Sequence, residues 1–320
     1  GGGGCMSASS PQNDLLTGRR TIVERGSAAY PERLMRCASP PQHLYIIGDA
    51  SVLGRPSLSI VGARKATPYG RGCARRFATL AAERNIVIVS GGARGCDSEA
   101  HRAAIAAGVP TVAFLGGGCD RIYPAEHFSL FQSIIDGGGA VVSERDWTFP
   151  PVPYAFRARN RLIAGLSAAT LIVEAGLPSG TFSTADEALA AGNEVLAVPG
   201  SITSASSRGA NRLIYQGATP IIDDDAFLDA LFGIYGCLRQ EVAASSGGGA
   251  ASVEGPDPLL AALRAEPLGM EKLREIARES APSGEDPWVW LMLRLAALEQ
   301  KGAIERYPDG RFGPVVRPLV

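Results

Sequence analysis

The amino-acid sequence predicts an α/β protein: a parallel sheet with helices on both faces, followed by a small C-terminal winged-helix domain. Short apolar segments with the composition of buried strands recur along the first 235 residues, and Ala-rich helical stretches separate most of them. Strands that alternate with helices in this way form a parallel sheet. A Gly/Ser/Ala-rich stretch at 236–256 then divides this pattern from a final unit at 257–320.

The predicted strands lie at 58–62, 86–90, 111–115, 140–143, 170–174, 194–198 and 220–222. The predicted helices lie at 68–83, 98–107, 125–135, 157–166, 181–191 and 209–216. Right-handed crossovers bring the carboxyl ends of parallel strands, and the loops that follow them, to one edge of the sheet. Ligands of such sheets bind at that edge, so we expect the functional residues there.

The pattern indicates four regions. Residues 1–29 are interpreted as a disordered or short N-terminal extension, 30–235 as the main domain, 236–256 as a flexible linker and 257–320 as the winged-helix domain. The last region has predicted helices at 259–265, 270–278 and 287–300, and a hairpin with a Pro-Asp-Gly turn at 304–313. Its 9 basic and 10 acidic residues favour a protein-contact module over the alternative, a reader of duplex DNA.

The composition argues against a membrane protein and against a metal site. No apolar run approaches the roughly 18 residues that a membrane span requires, and the six cysteines form no Cys-x-x-Cys or Cys/His cluster. We therefore expect a cytoplasmic protein with no metal, no cofactor and no membrane partner. The net charge is −1, yet residues 57–165 carry 13 Lys/Arg against 8 Asp/Glu, whereas residues 170–235 carry 2 against 8. Cationic residues are thus concentrated in the first half of the main domain.

Glycine-rich turns follow four of the predicted strands and precede helices. In the first, at 61–70, Gly62 allows a close backbone approach to a ligand and Arg64 or Lys65 supplies a cation, while Thr67 and Pro68 begin the next helix. Glycines in such turns free backbone N–H groups to bind an anion, and the helix dipole reinforces them. Any one of these turns could equally be a tight connection with no ligand.

The other three turns supply further candidates. These are Ser90, Gly91, Gly92, Arg94 and Gly95 in the second turn, Gly117 and Tyr123 in the third, and Ser179, Gly180 and Thr181 in the fourth. Arg94 is a donor suited to phosphate oxygens, and Tyr123 offers a ring on which a base can stack.

The segment at 156–166 carries the strongest indication of a polyanion ligand. Phe156, Arg157, Arg159, Asn160 and Arg161 lie at the start of a predicted helix whose other face is apolar. A solvated helix start is the alternative interpretation. Four phosphate-binding turns along one edge, two of them with arginines, imply several phosphates in a row. A nucleic-acid strand fits this arrangement better than a single nucleotide.

A series of ordered motifs runs through the main domain. They are Val-Gly-Ala-Arg-Lys-Ala-Thr-Pro-Tyr-Gly at 61–70, Ser-Gly-Gly-Ala-Arg-Gly-Cys-Asp at 90–97, Ala-His at 100–101, Tyr-Pro at 123–124, Ser-Glu at 143–144, Arg-Asn-Arg-Leu-Ile-Ala-Gly-Leu-Ser at 159–167, Glu-Ala at 174–175, Ser-Gly-Thr at 179–181, Val-Pro-Gly at 198–200 and Gly-Ala-Asn-Arg-Leu-Ile at 209–214. On these motifs the chain closely resembles the DNA-processing protein A family (DprA, also called Smf) from about residue 30 to 230.

The resemblance implies an extended Rossmann-like domain that binds and protects single-stranded DNA, dimerises, and helps load the RecA recombinase in natural transformation. It assigns phosphate contacts to Arg64, to the loop at 90–95, to Asn160 with its flanking arginines, and to the turn at 179–180. Two departures stand out: Cys96 replaces an aliphatic residue, and Arg157-Ala158 replaces a Pro-containing version.

The leading alternative is an enzyme, a nucleotide-processing hydrolase resembling the phosphoribohydrolases on a related sheet. That chemistry needs a carboxylate three residues after the threonine of the Gly-Thr turn. Here this position is Thr184, so a general acid/base is missing and we expect no enzymatic activity. The sequence also lacks the GxGxxG pattern of a dinucleotide site and the GxxxxGK[ST] pattern of a P-loop ATPase.

Overall fold

A computed structural model describes residues 15–177, 180–236, 258–265, 267–281, 286–300, 303–307 and 311–313. The chain divides into two compact units, Gly1–Ala243 and Ala244–Val320. Within the described residues, no helix combines the length and the apolar character that crossing a membrane requires.

A mixed β-sheet forms the centre of the first unit. In chain order, its strands are β1 (Arg20–Glu24), β2 (His43–Gly48), β3 (Ser57–Val61), β4 (Val87–Ser90), β5 (Thr111–Phe114), β6 (Ala140–Ser143), β7 (Ala169–Ile172), β8 (Glu194–Ala197) and β9 (Thr219–Pro220). The helices are α1 (Pro68–Ala82), α2 (Cys96–Ala106), α3 (Phe128–Asp136), α4 (Pro153–Leu166), α5 (Gly180–Ala190), α6 (Arg208–Tyr215) and α7 (Asp224–Tyr235). The strands lie side by side in the order β1-β2-β6-β5-β4-β3-β7-β8-β9.

The seven predicted strands are confirmed as β3 to β9, and all of these pair in parallel. β3 to β8 are short runs of mostly buried residues because helices cover both faces of the sheet, whereas both residues of the edge strand β9 are exposed. Leu58 and Ile60 pack with Phe77 of α1 and Phe227 of α7 on one face. On the other face, Val61 belongs to the core that includes α4, α5 and α6. The predicted arrangement of helices on both faces is therefore confirmed.

Two antiparallel strands differ from the expected all-parallel sheet. β1 pairs antiparallel with β2, and β2 pairs antiparallel with β6. Residues 20–24, interpreted from the sequence as part of an N-terminal extension, therefore form the edge of the sheet. Val23 is the one fully buried residue of β1, so the strand lacks the continuous apolar run by which the others were predicted. Three helices also differ: α3 begins three residues later than predicted, α4 begins four residues earlier, and α7 was not predicted.

The order in which strands are added to the sheet changes sides at β3. From β3 it proceeds through β4 and β5 to β6 on one side, and α4 then returns it to β7 on the other side of β3. The loops that follow β3 and β7 therefore diverge at the carboxyl edge. Such a switch point leaves a crevice between the loops, and ligands of doubly wound sheets bind there.

The second unit contains α8 (Pro258–Ala265), α9 (Met270–Ser280), α10 (Pro287–Gln300) and the antiparallel pair β10 (Glu305–Arg306) and β11 (Phe312–Gly313). Leu268 adds a bridge to Phe312. The three predicted helices and the two hairpin strands are present in the predicted order, and the winged-helix assignment stays a prediction. The predicted Pro-Asp-Gly turn, the linker beyond Gly236 and residues 1–14 lie outside the described residues.

Candidate nucleic-acid interface

A cleft of about 700 Å³ opens at the switch point of the sheet. Its walls come from the loops after β3 and β4, from the segment that leads into α4, and from the beginning of α5. The structure brings together here the candidates Gly62, Arg64, Tyr123, Phe156, Arg157, Arg159, Asn160, Gly180 and Thr181. Gly91 and Arg94 line a small recess that shares Arg64, Tyr123 and Phe156 with the cleft.

Two exposed arginines and two aromatic rings form the solvent-facing part of this cleft. The guanidinium of Arg64 lies over the ring of Phe156, 5.8 Å from its centroid. Tyr123 meets Phe156 edge-on at 5.4 Å and is 44% exposed. Arg64 and Arg157 form no ion pair within the described part of the chain. Their charges are therefore available to an anionic ligand.

Arg159 has a different environment, because its side chain is only 4% exposed. Its Nη1 donates to the carbonyl oxygen of Gly91 at 2.9 Å and also to that of Phe114. These contacts join α4 to the ends of β4 and β5. Burial lowers the pKa of Arg159 to about 10, against the opposing influence of Asp97, so the guanidinium stays charged. Arg159 therefore lines the floor of the cleft and stabilises the packing of α4 against the two strand ends.

Arg161 is turned away from the cleft. Its Nη2 forms an ion pair with Glu144 at 2.6 Å, and its Nε donates to the carbonyl oxygen of Ser39 at 3.0 Å. Both partners of the ion pair are largely buried. The three arginines that the sequence groups together thus have three separate environments, and Arg157 alone among them is exposed at the cleft.

Asn160 connects α4 to the beginning of α5. Its Nδ2 donates to the carbonyl oxygen of Gly180 at 3.3 Å. Gly180 is exposed at the first position of α5, and a Cβ there would meet no atom within 4 Å. Thr181 is buried behind it. Ser179, the third candidate of this turn, lies outside the described residues.

Internal packing accounts for the glycines of the second turn. Gly92 and Gly95 have φ angles of +63° and +80°, and a Cβ would collide with the ring of Phe131 and the carbonyl oxygen of Ala63, respectively. The Ser90 hydroxyl donates to the carbonyl oxygen of Ile60 at 2.6 Å. These residues are therefore required by the close approach of neighbouring elements, whether or not a ligand binds.

The remaining candidates divide between packing and the surface. A Cβ at Gly62 would collide with Cys96, and one at Gly117 would lie 3.1 Å from the Phe149 carbonyl oxygen. Gly117 is buried and does not line the cleft. Lys65 is exposed beside Arg64 but outside the lining. Arg94 is exposed and forms an ion pair with Glu126, which raises its pKa.

Two carboxylates that the candidate set omits hold the loops in place. Glu174, 3% exposed, accepts hydrogen bonds from the backbone N–H and the hydroxyl of Thr67, each at 2.9 Å. Thr67 in turn caps α1 with Pro68 at its start, as predicted. Asp97 accepts from the backbone N–H of Gly91 at 3.1 Å. Burial raises the pKa of Asp97, and the nearby Arg159 opposes that shift.

The charge and shape of the cleft suit a ligand with phosphates and flat rings. Asp97 is the one carboxylate among the described residues of its lining, and it is already bonded to the backbone. Thr184, the position where a hydrolase of the related type needs a carboxylate, lines the cleft and is 2% exposed. No cluster of His, Cys, Asp and Glu able to hold a metal ion occurs among the described residues.

Comparison with known proteins gives a consistent family. The model of the family described as DNA recombination-mediator protein A matches residues 21–232. Protein Smf of Escherichia coli (strain K12) is 39% identical over 215 residues, which are 67% of this chain and 58% of that protein. DNA processing protein DprA of Streptococcus pneumoniae (strain ATCC BAA-255 / R6) is 36% identical over 189 residues, which are 59% of this chain and 66% of that protein.

Two solved structures resemble the chain. DNA processing protein A from Streptococcus pneumoniae has a TM-score of 0.61 at 33% identity, over 66% of this chain and 74% of that one. DNA processing protein A from Helicobacter pylori, whose structure was described for its single-stranded DNA binding mode, has a TM-score of 0.62 at 30% identity, over 69% and 99%. The match spans 58% of the Escherichia coli protein and 51% of a putative DprA of Mycobacterium tuberculosis.

Proposed function

The chain belongs to the DNA recombination-mediator protein A family, and from this premise we propose that it binds single-stranded DNA in the cleft at the switch point. The bound strand is protected there and delivered to the RecA recombinase during transformation or recombination. In this proposal the protein acts by binding and is not an enzyme. The printed description of the Helicobacter pylori relative as a single-stranded DNA binder supports the choice of ligand.

One observation carries the proposal: Arg64 and Arg157 are exposed at the cleft without an ion pair among the described residues, and Arg64 lies over Phe156, which is in edge contact with Tyr123. The arginines bind consecutive phosphates, and the rings stack on bases. Stacking contributes about 1–3 kcal/mol per base and tolerates any sequence, because every base has a π-face. Phe156 is partly buried in the cleft, so an unpaired base reaches it more readily than a base inside a duplex.

The remaining candidate residues have supporting parts in this proposal. Asn160 and the start of α5 at Gly180 and Thr181 form the polar end of the phosphate site, and Lys65 and Arg94 extend the cationic surface beyond the cleft. Arg159 and the glycines of the second turn hold the backbone in shape. Ser179, which lies outside the described residues, stays a proposed phosphate contact on the family resemblance alone.

The test is a fluorescence-anisotropy titration of the full chain with labelled oligo-dT at two salt concentrations, against a duplex of equal length. We expect the single strand to bind more tightly and the affinity to fall steeply with salt. Replacing Arg64 or Arg157 by alanine should reduce the slope of log K against log salt by about 0.7 each, the value for one phosphate of a single strand. Unchanged slopes in both variants would remove these residues from the site.

Arg55→Ala is the matched control. Arg55 precedes β3, so it lies at the opposite edge of the sheet from the cleft, where it bonds to Asn85. Its removal deletes the same charge from the same unit. We expect this variant to have the same slope of log K against log salt as the original chain. An equal decrease of the slope in Arg55→Ala, Arg64→Ala and Arg157→Ala would mean that only the net charge of the protein matters.

The alternative is the nucleotide-processing hydrolase, and Thr184 at the cleft weighs against it. Incubation of the chain with nucleoside monophosphates, followed by chromatography for free base, tests it directly. Release of base at an enzymatic rate, together with no binding to oligo-dT, would favour the hydrolase. We also propose that residues 236–256 act as a linker, so that a chain ending at 240 should retain binding to the strand.

Dimer formation is a further part of the proposed function. The outer edge of the sheet at β9 is flanked by Tyr215 and Ile222, which are 82% and 71% exposed. Exposed apolar side chains beside a strand edge favour pairing with a second copy. Analytical ultracentrifugation of Ile222→Glu is the test, with a monomer expected where the original chain forms a dimer.

A further inference from the structure

A pocket of about 330 Å³ lies in the second unit, between α9 and the beginning of α10. Its lining comprises Arg274, Ala277 and Arg278 of α9 together with Asp286, Pro287 and Trp288. The volume lies at the lower end of the range of roughly 300–1,000 Å³ that is usual for ligand sites. None of the binding residues considered above belongs to this unit, so the pocket needs its own explanation.

Two cations face the pocket. Arg274 and Arg278 are one helical turn apart on α9, both are exposed, and neither forms an ion pair with any residue that the structure describes. The guanidinium of Arg274 lies over the ring of Trp288, 4.3 Å from its centroid, which fixes its position. Asp286 also lines the pocket, but it forms no ion pair with either arginine in the described structure; its carboxylate accepts hydrogen bonds from the N–H groups of Trp288 and Val289 at the start of α10.

Apolar surface adjoins these cations. Ala277 forms a small buried floor, 1% exposed. The solvent face of α10 carries Trp288, Val289, Met292 and Leu293, which are between 40% and 68% exposed. The opposite face of the same helix supplies Leu291, Leu295 and Leu298 to the core of the unit. α10 is thus apolar on two faces, and a contiguous exposed apolar ridge marks an interaction surface.

We propose that this pocket and ridge bind a short acidic and hydrophobic peptide segment of a partner protein. Carboxylates of the peptide pair with Arg274 and Arg278, and an apolar side chain enters between Trp288 and Ala277. Arginine presents a planar fork that suits carboxylates, and the stacking on Trp288 reduces the entropy lost on binding. Val289 and Leu293 extend the contact along α10.

The charge pattern favours a peptide over nucleic acid. Glu271, Glu275 and Glu279 are exposed on the same helix as the two arginines. They interrupt the continuous cationic track that a phosphate backbone needs. Arg274 already covers one face of Trp288, and the aliphatic side chains of the ridge offer no stacking surface for bases. A short peptide needs no continuous cationic track and no stacking surface, because its carboxylates have to reach only Arg274 and Arg278 and its apolar anchor contacts the ridge.

Selection of a phage-displayed random dodecapeptide library on the full-length protein tests the proposal. We expect the enriched peptides to combine Asp or Glu with Phe, Leu or Trp. The most enriched peptide is then synthesised with a fluorescent label and titrated against the original chain and the Arg274→Glu and Arg278→Glu variants. Each charge reversal should weaken binding by at least about tenfold, since it removes a charge-assisted hydrogen bond and adds a repulsion.

Lys272→Glu is the control, because this exposed lysine lies on α9 outside the pocket lining and its reversal changes the net charge by the same amount. It should leave peptide affinity unchanged. Arg274→Glu removes the contact with the Trp288 ring and could disturb the fold, whereas Arg278 makes no ring contact in the described structure. We therefore expect Arg278→Glu to keep the fold, and circular dichroism of both variants checks this. Failure to enrich acidic peptides, or a peptide affinity in both pocket variants equal to that of the original chain, would overturn the proposal. Loss of duplex binding in these variants without an effect on peptides would assign the surface to nucleic acid instead.

Discussion

The carboxylate of Glu174 holds Thr67 by two hydrogen bonds, one from the backbone N–H and one from the hydroxyl, each 2.9 Å long. Glu174 follows β7, whereas Thr67 ends the loop after β3 and begins α1. One buried carboxylate therefore joins the two loops that diverge at the switch point. Arg64 lies three residues before Thr67, so this contact also sets the position of an arginine at the cleft.

Gly70→Ala tests this link without touching either partner. A Cβ at Gly70 would collide with the Glu174 carboxylate. Alanine in place of glycine inside a helix ordinarily stabilises a protein by about 0.5–1 kcal/mol. Here we expect the free energy of unfolding to fall by about 1–3 kcal/mol, because displacement of the buried carboxylate removes its two hydrogen bonds with the half-buried Thr67. Urea denaturation measures the stability, and the oligo-dT titration should show weaker binding.

Gly233→Ala provides the comparison for this effect. Gly233 lies inside α7, and a Cβ there would meet no atom within 4 Å. This substitution should follow the ordinary rule and stabilise the protein. If Gly70→Ala were as stable as Gly233→Ala and bound DNA normally, the Glu174 contact would have no positioning role.

Arg157 and Arg159, two residues apart, should respond to alanine in opposite ways. Arg159→Ala removes a buried charge that bonds to the carbonyl oxygens of Gly91 and Phe114 and lies near Asp97. Loss of one partner of a buried charge arrangement costs about 3–5 kcal/mol of stability. Arg157→Ala removes an exposed side chain and should leave the unfolding free energy unchanged while DNA binding weakens. Urea denaturation and anisotropy titration of both variants separate the two effects.

Arg159→Lys is the further check, because lysine keeps the charge but cannot bond to two carbonyl oxygens in the planar geometry of arginine. We expect an intermediate stability. An Arg159→Ala protein as stable as the original chain, with DNA binding lost, would show that Arg159 contacts the strand directly.

The burial of Arg159 was predictable from the sequence, although its grouping with the other arginines hid it. Arg159, Leu162, Ile163 and Leu166 recur at the spacing of one helix face, and the last three are apolar and buried. The pairing of Arg161 with Glu144 has no comparable signal. Seventeen residues separate the two, and the contact depends on how α4 returns over the sheet.

The parallel strands β3 to β8 were predictable to within two residues because each is a short run of mostly apolar, buried residues, whereas β9 is an exposed edge strand of two residues. Two other features could not be predicted from the sequence: the strand β1 and the contact of Glu174 with Thr67. Burial of β1 depends on pairing with β2, and the partners of the buried carboxylate are 107 residues apart in the chain. Composition and periodicity report the environment of a segment, whereas these features depend on which distant segments meet.

Glu126→Gln should strengthen DNA binding. Glu126 forms an exposed ion pair with Arg94, next to Tyr123 and Arg64 in the recess beside the cleft. The amide removes a negative charge near the strand and releases Arg94 to bind a phosphate. We expect the affinity for oligo-dT to rise roughly two- to fivefold, in keeping with the modest strength of surface ion pairs. The measurement is the same anisotropy titration at low salt.

The double variant Glu126→Gln/Arg94→Ala identifies the source of this gain. If Arg94 is the group released, its removal abolishes the increase. A gain that persists in the double variant would arise from the lost carboxylate alone, and Arg94 would then have no contact with the strand.

Stability in acid should depend on His101, which is fully buried in α2. Its Nδ1–H donates to the Thr111 hydroxyl at 2.8 Å, since that hydroxyl itself donates to the Ile88 carbonyl oxygen. Its Nε2 is buried with no hydrogen-bond partner among the described residues. Burial, with smaller electrostatic contributions from His127 and Arg159, lowers the pKa of His101 from 6.5 to about 3.

The sign of the effect follows from proton binding. Between pH 6.5 and 3, the unfolded chain binds a proton at His101 that the folded chain does not bind, so the free energy of unfolding falls as the pH falls. This contribution has a slope of up to about 1.4 kcal/mol per pH unit. In His101→Asn the amide can still donate to Thr111 but cannot titrate. The variant should be less stable than the original chain at pH 7, and urea denaturation should show this difference shrinking steadily towards pH 4. A constant difference over that range would mean that His101 takes up its proton in the folded state as readily as in the unfolded chain.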